Sequence, residues 1–381
     1  MKILNVVSIY FSIPFFFGDQ LTYFSEKGYD VHVACSPSSQ IAPYAKEKRF
    51  SFFEVPMPRK LSVFADIRAV YRLFVYIRRE KFNVVCGHTA KGSLIAMIAA
   101  FLAQTEKRVY FRHGFYYENL TGLKRILMLN LDRFTALLST KIVCVSPFVL
   151  ENSVRYKLNR RNKMVLLNRG SCNGVDATRK FNPTNIEPDI LSNIQRSLGI
   201  NEQDFVIGFT GRLVRDKGIV ELTESFKNLC ANYKNIKLLI IGPVEERDKV
   251  PESTLNYLKE SSNVILTGLI ENNIEYYYEL MDVLVLPTLR EGLGTSILEA
   301  SSMAKPVLAS DHTGSKDAMI DGLTGSYIKP TVKSISENIS AYLEDSEMLM
   351  THGEQGRVFI LNNFSQELIW AEIEEKLYLS K

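Results

Sequence analysis

Apolar runs of strand length alternate with stretches of helical periodicity along the whole chain. In the first half, the strand-like runs are almost continuous in apolar residues, as in strands that are covered on both faces. They read KILNVVSIYF, YDVHVACS, FNVVCGHT, RVYFRHG, TKIVCVS and KMVLL, with helical segments such as GSLIAMIAAFLAQ between them. This order predicts a parallel sheet with helices on each side.

A second series of the same kind follows ATRKFNPTNIEPD, a polar stretch rich in Pro, Asn and Thr that reads as a linker. Its strands are predicted at DFVIGFTGRL, IKLLIIGPV, NVILTGLI, DVLVLPT and KPVLASD. The predicted fold class is therefore α/β, with two doubly wound, Rossmann-like domains whose parallel sheets face a central cleft. In such folds ligands bind beyond the carboxyl ends of the strands.

The predicted domain boundaries follow from this pattern. Residues 1–180 form the first Rossmann-like domain, 181–203 the linker and 204–360 the second domain. A C-terminal helix over 361–381 completes the prediction, and its return to the first domain is left open. A chain of 381 residues is long enough for two separate hydrophobic cores.

Nothing in the sequence has the length of a membrane-spanning helix. The longest clean apolar run, Leu94 to Ala103, covers about half of what a bilayer requires. The apolar N-terminus, MKILNVVSIYFSIPFFFG, is interrupted by Asn5, Ser8 and Pro14, and no small-residue cleavage site follows it. We interpret it as a buried strand and the loop after that strand.

Charge is divided unevenly along the chain. Residues 1–180 contain 28 Lys and Arg against 12 Asp and Glu, which gives a net charge of +16. Residues 181–381 contain 18 and 30, which gives −12. We therefore expect the first domain to meet an anionic partner, here an anionic membrane surface and not a nucleic acid.

The five cysteines are widely spaced, which favours a reducing compartment over a disulfide framework or a zinc site.

Two glycine turns in the second domain have the composition of a diphosphate site. In GFTGRLVRDKG, Gly211 and Arg212 end a strand, and Lys217 precedes a helix. Glycine lets the backbone approach a ligand, and two cations beside free helix N–H groups suit a diphosphate. For this stretch alone, a solvated Arg–Lys loop is an equally good explanation.

The second turn, REGLGTSILEA at residues 290–300, also leads into a helix N-terminus, where the dipole favours an anion. Its flanking acids, Glu291 and Glu299, would repel a phosphate and therefore need another use. A carboxylate accepts hydrogen bonds from two hydroxyls, which suits a sugar on each side of a diphosphate. For Glu299, spacing alone slightly favours a capping box in which Ser296 is the N-cap.

The motifs together resemble the retaining GT-B glycosyltransferases of family 4, and the resemblance extends from end to end. Glu291 and Glu299 have the Glu-x7-Glu spacing of those enzymes. Further matches are GHTAKG (87–92), RHGFYYE (112–118), GSCNGVD (170–176), GRLVRDKG (211–218) and DGLTG (321–325). The branch it resembles adds hexoses or N-acetylhexosamines to polyprenyl-linked glycans and to capsule or lipopolysaccharide precursors.

The resemblance implies a role for each matching residue. Arg212 and Lys217 would neutralise the departing diphosphate, Glu291 would contact the donor hexose, and Glu299 would bind the ribose. His113 would reach a donor hydroxyl near the reacting carbon. The other implied donor contacts come from Gly211, Gly242, Gly268, Leu269, Leu293, Gly294, Thr295 and Ser296. The resemblance also implies that no metal or other cofactor is required, because Arg and Lys take the place of Mg²⁺.

The acceptor side departs from the pattern of the family. Many members carry paired glycines in the loop after the first strand, whereas YFSIPFFFGDQ has only Gly18. His88 and Lys91 are weaker acceptor candidates, and we favour a structural role for both. The phenylalanines at 15–17 are interpreted as packing residues, with contact to an apolar lipid carrier as the alternative.

The expected activity is transfer of a hexose, with retention, from a nucleotide diphosphate sugar such as a UDP-sugar to a hydroxyl of a lipid-linked glycan. The expected location is the bacterial cytoplasm, peripheral at the inner face of the cell membrane. Two alternatives stay open: a sugar-nucleotide 2-epimerase of the same architecture, and a non-catalytic sugar-nucleotide-binding partner. A dinucleotide dehydrogenase is disfavoured because no Gly-x-Gly-x-x-Gly follows the first strand of either domain.

Overall fold

The computed structural model describes residues 1–58, 62–115, 117, 118, 120–245 and 248–380. Tyr116 of the RHGFYYE match lies outside these residues. The chain forms two compact units, Met1–Gly174 together with Gln366–Lys381, and Val175–Ser365.

Within the described residues, the first unit contains a seven-stranded sheet in the order β3-β2-β1-β4-β5-β6-β7, with every pairing parallel. The strands are β1 (Lys2–Val6), β2 (Asp30–Cys35), β3 (Ser51–Glu54), β4 (Val84–Gly87), β5 (Lys107–Arg112), β6 (Lys141–Cys144) and β7 (Met164–Leu166). The strand order reverses its direction after β3. The topological switch point therefore lies between β1 and β4, where a doubly wound sheet opens a crevice for a ligand.

The helices of the first unit connect these strands. They are α1 (Ser12–Phe16), α2 (Gln20–Glu26), α3 (Ile41–Lys48), α4 (Val63–Glu80), α5 (Ala90–Leu102), α6 (Gly122–Leu138) and α7 (Pro147–Arg155). Helix α5 is apolar on nearly all sides, so it is buried between the sheet and its neighbours α4 and α6. Residues 12–16, which the sequence analysis assigned to a loop, form the short helix α1.

The second unit contains a six-stranded parallel sheet within the described residues, in the order β10-β9-β8-β11-β12-β13. Its strands are β8 (Phe205–Thr210), β9 (Ile236–Ile241), β10 (Val264–Gly268), β11 (Val283–Leu286), β12 (Val307–Ser310) and β13 (Gly325–Ile328). Its helices are α8 (Pro188–Ser197), α9 (Ile219–Cys230), α10 (Glu252–Glu260), α11 (Ile274–Glu279), α12 (Thr295–Ser302), α13 (Val332–Glu344) and α14 (Ser346–Asn363). The two sheets confirm the α/β class and the doubly wound topology.

The segment 181–203 is ordered as part of the second unit and includes α8. Its prolines, which suggested a linker, instead begin helical turns: Pro183 starts a 3-10 turn and Pro188 starts α8. Proline is well suited to these positions because the first N–H groups of a helix have no intrahelical partner.

The end of the chain belongs to the first unit. Helix α15 (Gln366–Ile373) and a π-helical turn over Glu374–Leu379 place Trp370, Ile373 and Leu377 in the core of that unit. The indole N–H of Trp370 donates to Asn173 Oδ1 at 2.8 Å. Among the described residues, every helix is too short or too polar to cross a bilayer.

Candidate active site

Most of the predicted donor residues follow four neighbouring strands of the second sheet. Gly268 ends β10, Gly242 follows β9, and Gly211 with Arg212 follows β8. Glu291 lies in the segment between β11 and α12. Because these strands are parallel and adjacent, their carboxyl ends lie along one edge of the sheet, which is where doubly wound folds bind ligands.

The turns after β8 and β9 pack backbone against backbone. The Gly242 N–H donates to the Gly268 carbonyl at 2.8 Å, and the Gly211 N–H donates to the Ile241 carbonyl at 2.9 Å. Gly242 has a φ of +142°, and a Cβ there would lie 2.0 Å from the Gly211 oxygen. A side chain at Gly242 would therefore push the two turns apart, which explains the glycine without invoking a ligand.

Lys217 is held against the end of β11 by the turn that carries it. Residues 215–217 form a 3-10 turn, and Gly218 follows with a φ of +71°. A Cβ on Gly218 would lie 2.1 Å from the Pro287 carbonyl oxygen, so the two segments are in close contact. The Lys217 ammonium lies 2.5 Å from Glu291 Oε2. The structure therefore brings together two predicted site residues that are 74 positions apart in sequence.

A second ion pair ties the same two segments together. The Arg290 guanidinium donates to Asp216 Oδ2 at 2.7 Å, and the Leu289 N–H donates to the Asp216 carbonyl at 2.8 Å. Asp216 is 8% exposed, so its charge requires a partner. Neither Asp216 nor Arg290 carries a motif signal beyond standing next to Lys217 or Glu291, so this pair was not predicted from the sequence.

Arg212 has a different environment from Lys217. Its side chain is 44% exposed, and Nη1 lies 3.0 Å from Glu245 Oε2. It follows β8 directly, so it lies on the same sheet edge as Lys217 and Glu291. An exposed guanidinium loses little hydration when it changes partner, so it is free to turn toward an anion.

The predicted capping box at the start of α12 is wrong. The helix begins at Thr295, with Gly294 as N-cap at a φ of +87° and without a side-chain cap. Gly294 adopts this left-handed conformation easily because it has no side chain. The helix therefore starts two residues earlier than it would with Ser296 as its N-cap. Glu299 consequently lies in the second turn, too far along the helix to act as an N3 capping residue.

Glu299 is bonded instead to a tyrosine from the preceding helix. The Tyr278 hydroxyl donates to Glu299 Oε2 at 2.6 Å. Burial raises the pKa of Glu299 to about 6, while the hydrogen bond from Tyr278 acts in the opposite direction. A second carboxylate oxygen is thus left for another hydroxyl, and Tyr278 is a supporting residue that the sequence analysis did not identify.

The other residues of the α12 turn differ in exposure. Leu293 is buried, Ser296 is half-buried and Thr295 is exposed. The first turn of a helix leaves N–H groups without intrahelical partners, and the helix dipole adds partial positive charge there. Leu269, which follows β10, is 40% exposed. This sheet edge therefore combines two cations, a helix N-terminus and two carboxylates.

In the first unit, His88 and His113 follow the adjacent strands β4 and β5 and contact each other. His88 Nδ1 lies 3.2 Å from His113 Nε2. His88 is 2% exposed, and its Nε2 has no hydrogen-bond partner. Burial lowers the pKa of His113 to about 4 and lowers the pKa of His88 well below its usual value. Both imidazoles are therefore neutral near pH 7.

Phe16 and Phe17, at the end of α1, contact this histidine pair. The Phe16 ring stacks on His113 with centroids 4.1 Å apart and planes 9° apart. Phe17 is fully buried and meets His88 edge-on at 4.8 Å. Phe15 has a different position, since it is 57% exposed and contacts Phe11. Phe16 and Phe17 thus occupy the space in front of β4 and β5.

The two remaining acceptor-side candidates are explained by local structure. The Lys91 ammonium lies 2.8 Å from Asp66 Oδ1 and donates to the Pro58 carbonyl at 2.5 Å, which ties α5 to α4 and the segment before it. Gly18 follows α1 with a φ of +48°, so it serves the turn between α1 and α2. Among the described residues, no three His, Cys, Asp or Glu side chains are grouped as metal ligands.

Two family models match this chain, one in each half. The model described as glycosyl transferases group 1 matches residues 192–359, and the model described as glycosyltransferase family 4 matches residues 18–178. The capsular polysaccharide biosynthesis glycosyltransferase CapM of Staphylococcus aureus is 32% identical over 374 residues, covering 98% of this chain and 96% of CapM. This chain is a family 4 glycosyltransferase.

Further comparisons agree with the family. A UDP-Gal:alpha-D-GlcNAc-diphosphoundecaprenol alpha-1,3-galactosyltransferase of Escherichia coli is 26% identical, over 88% of this chain and 86% of its own length. The crystal structure of HepE from Anabaena, in complex with UDP and glucose, matches this glycosyltransferase with a TM-score of 0.82 and 18% identity, covering 99% of both chains. The predicted GT-B fold is thereby confirmed.

Proposed function

We propose that this glycosyltransferase moves a hexose or N-acetylhexosamine from a nucleotide diphosphate sugar, in the simplest case a UDP-sugar, to a hydroxyl of a lipid-linked glycan or polysaccharide precursor. The observation that carries the proposal is the sheet edge where Arg212, Lys217 and Glu291 follow neighbouring strands beside the start of α12. The name of the E. coli relative gives a UDP-sugar as its donor and a diphosphoundecaprenol-linked sugar as its acceptor, and that of the S. aureus relative refers to capsular polysaccharide.

The donor would lie along the sheet edge of the second unit. Lys217, Arg212 and the N–H groups at the start of α12 would hold the diphosphate. Glu299 would accept hydrogen bonds from the ribose hydroxyls with the oxygen that Tyr278 leaves free, and Glu291 would contact the hexose. The backbone around Gly211, Gly242, Gly268 and Leu269 would approach the nucleotide closely.

The reaction would proceed with retention at the anomeric carbon. The bond from that carbon to the diphosphate oxygen breaks, and the negative charge that develops on the diphosphate is stabilised by Lys217 and Arg212. The acceptor oxygen bonds to the same face of the sugar, and its proton passes to the departing diphosphate oxygen. Two cations and a helix N-terminus provide the charge stabilisation, so the proposal requires no metal ion or other cofactor.

His113 would donate to, or accept from, a hydroxyl of the donor sugar near the reacting carbon. Its low pKa keeps it neutral at physiological pH, which suits a hydrogen-bonding role over a charged one. Lys91 is left out of the acceptor site because its ammonium is engaged by Asp66. On the acceptor side, Phe16, which stacks on His113, is the candidate for contact with the incoming glycan.

The enzyme would work in the cytoplasm, peripheral at the inner face of the cell membrane, where a lipid-linked acceptor is embedded. The net charge of +16 over residues 1–180 supports an anionic lipid surface as its partner. A nucleic acid is not part of the proposal, because an anionic membrane that holds the lipid-linked acceptor already accounts for the positive charge of residues 1–180.

Nucleotide release from a panel of nucleotide sugars, measured with and without a polyprenyl-diphosphate-linked acceptor, tests the proposal. We expect release that depends on the acceptor, persists with a metal chelator, and yields a product whose anomeric coupling constant matches the donor. A 2-epimerase would instead interconvert the donor sugar without any acceptor. A non-catalytic binding partner would bind the nucleotide sugar but release no nucleotide.

A further inference from the structure

Helix α4 exposes an apolar stripe on the side opposite its buried face. Phe64, Ile67, Tyr71 and Val75 are spaced three or four residues apart, and they are 88%, 62%, 65% and 43% exposed. The buried residues of the helix, which include Leu73 and Ile77, lie on the other side. A helix that packs on a sheet normally presents polar residues to water, so this stripe requires an explanation.

Helix α6 has a second stripe of the same kind. Its members are Leu123, Ile126, Leu127, Phe134 and Leu137, and they are between 44% and 85% exposed. Both helices pack against α5 on one face of the first sheet, so the two stripes belong to the same helical layer. We call these nine side chains together the α4–α6 surface. Exposed apolar patches of this extent mark interaction sites on soluble proteins.

The charges that accompany the stripes are positive. The acids of these two helices are all engaged in ion pairs: Asp66 with Lys91, Glu80 with Lys2 and Arg79, and Asp132 with the buried Arg112. The cations of the helices are Arg68, Arg72, Arg78, Arg79, Lys124, Arg125 and Arg133. An apolar stripe beside arginines and lysines is typical of helices that lie in the interface of an anionic bilayer.

A depression beside α4 adds a local binding feature. It has a volume of about 390 Å³ and is lined by Pro56, Phe64, Ala65, Arg68, Ala69 and Arg72. Two guanidinium groups one helical turn apart, above an apolar lining, fit a phosphodiester with hydrocarbon attached. A second copy of this chain fits less well, because an interface between two such surfaces would place cations opposite cations.

We propose that the α4–α6 surface inserts into the headgroup region of an anionic membrane, with a lipid phosphodiester between Arg68 and Arg72. The inference rests on the proposed function, in which the acceptor is lipid-linked, and it names the surface through which the enzyme reaches that acceptor. The apolar stripes contribute burial in the lipid, and the cations contribute attraction to the anionic headgroups.

Tryptophan reporters introduced into the α4–α6 surface test insertion directly. The native Trp370 is 4% exposed and gives a constant background. In Phe64→Trp and Leu137→Trp, we expect a blue shift of the emission and quenching by brominated lipids on vesicles of phosphatidylglycerol and phosphatidylcholine. Met350→Trp, at a 61% exposed apolar position on α14, is the matched control and should show neither change. Reporters at Phe64 and Leu137 that behave like the control would overturn the proposal.

Vesicle flotation separates the contribution of the apolar stripes to membrane binding from that of the arginines. Phe64→Ser/Ile67→Ser and Leu123→Ser/Leu137→Ser should each weaken binding to anionic vesicles at least ten-fold, and Arg68→Gln should weaken it about five-fold. Met350→Ser and Lys333→Gln, on the second unit, should bind like wild type. Equal binding to vesicles of phosphatidylcholine alone would overturn the role of the arginines. A wild-type dimer that the serine variants dissociate, with no change in vesicle binding, would assign the surface to a second copy instead.

Transfer to a water-soluble, short-chain acceptor keeps this inference distinct from the proposed function. The serine variants should retain wild-type transfer to that acceptor, because none of the substituted residues lies at the proposed donor site. If no protein transfers sugar while the reporters still insert, the proposed function fails and the membrane surface stands. If transfer persists and the reporters do not insert, only the membrane surface fails.

Discussion

The ammonium of Lys217 lies 2.5 Å from a carboxylate oxygen of Glu291, and both side chains are largely shielded from water, at 14% and 21% exposed. These two residues were assigned to different parts of the donor, the diphosphate and the hexose. In the absence of donor, each therefore neutralises the other. When the donor binds, the diphosphate would replace Glu291 as the partner of Lys217, and a sugar hydroxyl would replace Lys217 as the partner of Glu291. Both side chains need such partners because a charged group that is largely shielded from water is unstable without one.

Lys217→Ala and Arg212→Ala should each lower kcat/KM by about 10²–10³, because each removes a cation that faces charge on the leaving diphosphate. Arg215→Ala, an exposed arginine in the same turn, is the matched control and should stay near wild type. Steady-state kinetics and circular dichroism check the rate and the fold. An Arg212→Ala enzyme with wild-type kcat/KM would show that the diphosphate lies elsewhere.

Glu291→Gln should lower kcat about 10²-fold while changing the donor Kd much less. The amide cannot neutralise Lys217, so the ammonium becomes more available to the diphosphate, which offsets the weaker contact to the hexose. Turnover assays with calorimetric donor titration separate the two quantities. Parallel losses in rate and affinity would instead place Glu291 in ground-state binding alone.

Glu299→Gln should weaken donor binding about ten-fold and leave stability unchanged or higher at pH 7.5. The carboxylate pKa of about 6 is above the usual value, so folding favours the protonated form and stability falls as pH rises from about 4.5 to 6. A neutral glutamine removes that cost and still accepts from Tyr278. Calorimetry and thermal melts are the measurements, and Tyr278→Phe is the companion variant. Wild-type donor affinity in Glu299→Gln would contradict the ribose role.

The donor affinity of the wild-type enzyme should also decrease as pH falls below about 6, because protonated Glu299 offers fewer acceptor sites to a diol. The loss should level off at about ten-fold, the loss expected for the neutral glutamine, and should be absent in Glu299→Gln. Titrations with an intact UDP-sugar across pH 5–8 provide the test. Parallel pH profiles for the two proteins would assign the titration to another group.

The histidine pair should stabilise the enzyme above pH 6.5 relative to pH 5. The pKa of His113 is lowered to about 4, so between 4 and 6.5 the unfolded chain binds the additional proton and stability rises with pH. His113→Phe keeps an aromatic ring on Phe16 and removes this titration. We therefore compare the two proteins by the melting temperature of wild type minus that of His113→Phe. This difference should be roughly 4 °C smaller at pH 5 than at pH 7.5. A constant difference across that range would contradict neutral burial of His113.

Several parts of this enzyme follow from its sequence alone. Continuous apolar runs such as LLII and VLVL are recognisable because strands covered on both faces largely exclude polar residues, and the helices between them impose parallel pairing. The edge strands β3 and β13 were not predicted, because their sequences, SFFE and GSYI, are short and only partly buried. Pro183 and Pro188 were assigned to a linker because a proline signals a turn and a helix start alike.

The candidate site also has features that the sequence predicts and features that only the tertiary structure decides. The glycine turns, the cations and the two spaced glutamates are local features, and their placement at strand ends follows from the order of elements. Which side chains meet is decided by the tertiary structure. Sequence separation carries no information on the pairing of Lys217 with Glu291 or of Arg290 with Asp216, and the left-handed Gly294 overrode the capping spacing of Ser296 and Glu299. Likewise the exposed stripes of α4 and α6 have the periodicity of buried faces. Only the packing of each helix shows which of its apolar sides is turned outward, because amphipathic spacing fixes the angle between residues and not the direction in which they face.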